Sequence, residues 1–148
     1  MTEQGYRAPE AKRIAGITYR QLDYWTRTGL VRPSIKDAHG SGSQRLYSFQ
    51  DLATLRVIKR LLDTGVSLQR VRAAVEHLRT MDRRPHGVTL MSDGRGVYEA
   101  HSPEAVVDLL KGGQGVFAIS LDAVWSDLET DIGAAAKPRS RRAASGGS

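Results

Sequence analysis

Over the first 80 positions, apolar residues recur at helical spacing in four short runs, each closed by a residue that stops a helix. Ala11, Ile14 and Ala15 follow Pro9, which suits a first helical turn, and Gly16 ends that run. Thr18 is then placed to cap a second helix, with Gln21 closing a capping box and Gly29 supplying the left-handed stop. At about 100° per residue, Thr18, Leu22 and Trp25 gather on one side of this helix, and Arg20, Tyr24 and Arg27 on the other. Two helices separated by Ile17 alone must meet at a sharp angle. The pattern therefore predicts a helix-turn-helix whose second member packs its apolar side inward and turns a cationic side to solvent.

From residue 30 to residue 48 the pattern changes to short extended pieces around a Gly- and Ser-rich tip, which predicts a two-stranded wing. Alternation sends Ile35 and Leu46 toward the core and puts Arg45 and Tyr47 together on the other face, with Lys36 adding charge nearby. Ser48 caps the next helix, with Asp51 at its third position, and Leu52, Leu55, Ile58 and Leu62 repeat until Gly65. Ser67 caps a fourth helix carrying Leu68, Val71, Val75 and Leu78, which fades at Thr80. This helical pair is expected to brace the wing against the second helix.

Beyond a break at residues 82–87, two short strands are predicted at 88–91 and 97–100, around an Asp93-Gly94-Arg95-Gly96 turn. Ser102-Pro103 opens a helix with Val106, Leu109 and Leu110 on its apolar side, Gly112 and Gly113 stop it, and residues 115–120 read as a third strand. Leu121, Val124, Trp125, Leu128 and Ile132 then give the last helix a strong apolar stripe. The expected fold class is mainly α with a small β component: a winged helix-turn-helix domain over residues 1–80, a linker at 81–87, a small α/β unit at 88–136 and a basic disordered tail at 137–148. No internal repeat is present.

Charge divides the chain along the same lines. Residues 1–80 carry 14 Lys/Arg against 7 Asp/Glu, residues 81–136 carry 4 against 9, and residues 137–148 carry 4 against none. A cationic body followed by an acidic one fits a nucleic-acid-binding region joined to a segment that stays off phosphate. The 148 residues include no cysteine, which excludes disulfides, thiolate metal sites and cysteine nucleophiles. With no apolar run of bilayer length and no signal-peptide pattern, a soluble, cytoplasmic protein without a membrane partner is expected.

The candidate chemistry is that of binding. Arg20, Tyr24 and Arg27 on the helix, and Arg45 and Tyr47 on the wing, form a surface suited to duplex DNA, where arginine forks to guanine or clamps phosphate and a tyrosine hydroxyl holds phosphate. His39, His77, His86 and His101 offer no pair at metal-binding spacing, so no metal and no cofactor is expected. Asp122, Asp127, Glu129 and Asp131 read as the wet face of the last helix rather than a catalytic pair, and Gly112-Gly113-Gln114-Gly115 lacks the lysine and helix of a phosphate loop. No enzyme is predicted. Val124, Trp125, Leu128 and Ile132 are expected to form either the core of the α/β unit or a dimer seam. Tyr98 and Phe117 are expected either in the core or lining an effector pocket.

Taken in order, Ala15-Gly16-Ile17, Gln21-Leu22-Asp23-Tyr24-Trp25, Gly29-Leu30-Val31 with Pro33, Arg45-Leu46-Tyr47, Asp51-Leu52 and Gly65-Val66-Ser67-Leu68 resemble the MerR family of bacterial transcription regulators over residues 6–78. The resemblance implies a homodimer on double-stranded promoter DNA, with the recognition helix in the major groove and the wing on flanking backbone. It implies DNA contacts from Tyr19, Arg20 and Tyr24 on the helix and from Arg45 and Tyr47 on the wing, with RNA polymerase and a small-molecule effector as further partners; Thr18, at the start of the helix, is expected to join the DNA-binding residues. The family usually has arginine where this chain has Asp23 and tyrosine where it has Trp25. Its long dimerising helix is replaced here by residues that read as strands. The alternatives are an architectural DNA-bending protein of the excisionase type and a small-molecule binding module with a vestigial DNA face.

Overall fold

A computed structural model of the chain describes residues 5–35, 45–81, 85–113 and 117–136. Four helices come first: α1 (Ala8–Ala15), α2 (Tyr19–Arg27), α3 (Phe49–Asp63) and α4 (Leu68–Leu78). Their ends follow from the side chains expected to set them. Thr18 Oγ1 accepts from the Gln21 amide at 3.0 Å while Gln21 Oε1 accepts from the Thr18 amide at 3.0 Å, and Ser48 and Asp51 make the same reciprocal pair. Gly29, at φ 79°, turns the chain after α2 in a conformation that a side chain would strain.

Helix α3 lies at the centre. Its expected stripe of Leu52, Leu55 and Ile58 is buried, and so are Ala53, Val57 and Leu61, whereas Leu62 is only half-buried. A single stripe is too narrow a description because α1, α4 and α6 (Leu121–Ala136) all pack against this helix, so it is apolar on most sides.

The second half holds strands β1 (Thr89–Ser92), β2 (Val97–Ala100) and β3 (Phe117–Ser120), with α5 (Pro103–Lys111) between the last two. The sheet is antiparallel in the order β2-β1-β3. Leu90 pairs with Glu99 on one side and Ile119 on the other, so these three share one face, and Leu90 and Ile119 join the main core. The opposite face, with Met91 and Ala100, lies against α5. The β1–β2 turn abuts the turn between α3 and α4: a Cβ on Gly94 would stand 3.5 Å from the Thr64 carbonyl oxygen.

Helix α6 follows β3 without a loop and packs on α3 and α1. Leu121, Val124, Trp125 and Leu128 are buried in the same core as Leu22 and Trp25. Arg56 fastens the assembly, donating to the Ile14 carbonyl at 2.8 and 3.1 Å and to Asp131 at 2.6 Å. The apolar interior therefore runs across residue 80. The expected tail lies outside the described residues, and within the expected linker so do residues 82–84. Among the described residues, no helix is long and apolar enough to cross a membrane.

Candidate nucleic-acid interface

Helix α2 is a short cylinder held at both ends. The capping box fixes its start; at its exit Arg72 donates to the Thr28 carbonyl at 3.0 Å, and Arg79 donates to the Leu30 carbonyl at 2.8 Å and to Gly29 at 3.3 Å. Leu22 and Trp25 are buried beneath it. Arg20, Tyr24 and Arg27, expected outward, are exposed, Tyr24 by 47%; Tyr19 is 55% exposed, and Thr18, grouped by spacing with Leu22 and Trp25, is exposed as well because it caps the helix instead of lying on its buried side. Among the described residues the Arg20 guanidinium has no partner, so its donors are available to a ligand.

Asp23, half-buried between α2 and the base of the expected wing, joins two of the candidate arginines. Its Oδ2 accepts from Arg27 Nε at 2.8 Å and its Oδ1 from Arg45 Nη1 at 2.9 Å. The hydrogen bond from Arg45, and after it that from Arg27, holds the Asp23 carboxyl below the usual range. Burial works to lower the Arg45 value, but the bond to Asp23 and the neighbouring Tyr47 outweigh it and the net shift is upward. The Arg45 side chain is only 12% exposed, and among the described residues its buried Nε has no hydrogen-bond partner. One carboxylate thus stands where two guanidinium groups can otherwise meet a phosphate.

Tyr47 corrects the expected wing alternation. It is fully buried, with its hydroxyl 2.9 Å from Thr26 Oγ1, rather than beside Arg45 on an open face. The cause is a backbone bridge in which Tyr6 and Tyr47 exchange two hydrogen bonds of 2.8 Å, which sets the strand so that position 47 points under α2. Burial raises its phenol pKa, and the bond to Thr26 opposes the shift. Tyr47 therefore supports α2 from below. Leu46, expected inside, is half-buried, and its carbonyl accepts from the Ile35 amide at 3.2 Å. Lys36 and the expected wing tip lie outside the described residues.

The last helix corrects a second expectation. Val124, Trp125 and Leu128 are neither a surface seam nor the core of a separate unit, since α3 and α1 cover them; Ile132 is half-buried at the same boundary. Trp125 does edge a cavity of about 280 Å³, with Asp51, Thr54, Leu78 and Pro85 among its walls. Tyr98 and Phe117 cannot share a pocket, because they pair with Met91 and Ser92, adjacent residues that face opposite sides of the sheet.

Several positioning residues escaped the sequence reading. Asp51, expected only as part of the α3 cap, is buried and also accepts from the Ser34 amide at 2.7 Å and from the Ser34 hydroxyl at 2.8 Å, so it fastens the entry to the expected wing. Arg72 and Arg79 stand seven residues apart, on one helical face, a spacing that was available as a signal. His77 and His101, far apart in sequence, are brought onto the two oxygens of Glu99 at 2.8 and 3.0 Å. Among the described residues no group of His, Asp or Glu is placed to hold a metal ion.

Residues 6–78 match the family described as MerR HTH family regulatory protein. The chain is 60% identical over 125 residues to an uncharacterized HTH-type transcriptional regulator of Mycobacterium tuberculosis, covering 84% of this chain and 56% of the relative. It is 32% identical over 63 residues to the HTH-type transcriptional regulator HmrR of Sinorhizobium medicae, 43% of this chain and 41% of that one. It is 27% identical over 123 residues to the HTH-type transcriptional repressor CarH of Myxococcus xanthus, 74% of this chain and 40% of that one. The chain therefore spans little more than half the length of its mycobacterial relative.

Proposed function

Through residues 6–78 this chain belongs to the MerR family of helix-turn-helix regulators, and we propose that it is a sequence-specific, double-stranded DNA-binding transcription regulator. The observation that carries this reading is the exposed Tyr19, Arg20, Tyr24 and Arg27 face of a helix held at both ends, with Arg45 tied alongside through Asp23. The helix enters the major groove, where Arg20 and Arg27 reach base edges or phosphates and the tyrosine hydroxyls hold phosphate. Arg45 contacts the flanking backbone once phosphate replaces Asp23, and Lys36 adds to that contact. Thr18 combines capping with a place at the helix N-terminus, where the amide dipoles favour an anion.

Two such surfaces act together on promoter DNA as a homodimer in the bacterial cytoplasm, with RNA polymerase as the next partner. The division of labour follows the charge: residues 1–80 bind DNA, 81–87 connect, and the acidic region from 88 to 136 carries assembly or effector response although it shares the core. The protein works by binding, not by catalysis. Genome-wide mapping of bound sites tests the proposal: enrichment at promoters, with paired half-sites spaced by whole helical turns, is the expected result. Random occupancy, or enrichment at recombination sites, overturns it.

A further inference from the structure

A cleft of about 460 Å³ separates α4 from the sheet. One stripe of α4 walls it: Arg70, Ala73, Ala74 and His77, at i, i+3, i+4 and i+7. Leu90, Val97 and Glu99 wall the opposite side, and their register places all three on one sheet face. The two alanines keep the space open where longer side chains would close it. Its ends differ. Glu99 lies beside His77, both its oxygens engaged by imidazoles. Roughly 10 Å along the helix, toward the β1–β2 turn, the Arg70 guanidinium has no partner among the described residues.

We propose that this cleft binds a small amphipathic carboxylate, its anionic head on Arg70 and its apolar body between the alanines and Leu90 and Val97. A volume of this size is typical of small-molecule sites, and an apolar trough with one unpartnered guanidinium at its end selects an anion with a tail over a neutral or cationic analogue. The site is coupled to α2 by construction. A different face of α4 carries Arg72 and Arg79, which hold the Thr28, Gly29 and Leu30 carbonyls at the end of the recognition helix. A ligand that moves α4 against the sheet moves those anchors. The consequence for DNA rests on the function proposed above; the binding itself does not.

Decanoate is the probe, titrated into the full chain without DNA and followed by amide chemical shifts, with decanol and decyltrimethylammonium as controls. Saturable shifts centred on Arg70 to His77 and on Leu90, Val97 and Glu99 are expected, with decanoate binding at least tenfold tighter than either control. Arg70→Gln should reduce decanoate affinity to that of decanol. Ala73→Trp, at an exposed position, should abolish both while leaving the circular dichroism and melting midpoint unchanged. Shifts that map elsewhere, equal affinity for decanoate and decanol, or indifference to both substitutions overturn the proposal. Shifts spreading to Thr28, Gly29 and Leu30 in the same titration establish the link to α2, and their absence removes it while leaving the site intact.

Discussion

Asp23 is the only acidic residue of α2, and its two oxygens are occupied by arginines from two parts of the chain. Its folded pKa lies below the ordinary value of 3.8, so the link contributes in full above that value and is lost only as the pH falls through the lower folded one. A carboxyl-carbon titration by NMR should place the Asp23 midpoint below 3.8, and Arg45→Gln should move it back up, because the Arg45 bond is the largest cause. An unmoved midpoint would mean that Arg27 alone sets it. Tyr47 makes a different kind of contribution. Tyr47→Phe removes a part-buried hydroxyl pair with Thr26 and should cost about 1 kcal/mol in a urea titration. It should leave the salt dependence of DNA binding unchanged, since the ring lies in the core and not on the proposed interface.

The helices obey local rules, and their ends were legible for that reason. A Ser or Thr with Gln or Asp three residues on, and Gly in a left-handed turn, set boundaries through contacts within one turn of chain. Ser48→Ala should test how much such a cap contributes: it removes acceptors for the Asp51 amide and the Ser34 hydroxyl at a buried position, so a loss of about 1–2 kcal/mol is expected by chemical denaturation. What was not legible is what depends on distant chain. Alternation gives the strand of Tyr47 two faces without saying which is inner; the bridge to Tyr6, 41 residues away, decides it. For the same reason the α6 stripe was readable as apolar but not as partner to α3 and α1. On α5, Val106 and Leu109 are half-buried, but Leu110, grouped with them by spacing, is 53% exposed because the sheet reaches only one side of that helix.

The shared core predicts that the described residues unfold as one cooperative body although the charge falls into separate regions. Trp125→Ala empties a buried indole site and should cost about 3–5 kcal/mol. Because Trp25 lies in the same core, its fluorescence should report that loss in step with far-UV circular dichroism, as a single transition; two separated transitions would divide the molecule near residue 80. The proposed DNA-binding surface lies on one side of this body, where the Arg20 guanidinium has no partner among the described residues and Arg27 and Arg45 share Asp23. The most direct test of that surface is the ionic-strength dependence of DNA affinity for the Arg20→Ala, Arg45→Ala double variant, with folding verified by its melting curve. If both charges meet phosphate as proposed, their loss should weaken binding and flatten the slope of log affinity against log salt by about 1.8. An affinity and slope equal to those of the unaltered protein would contradict the account.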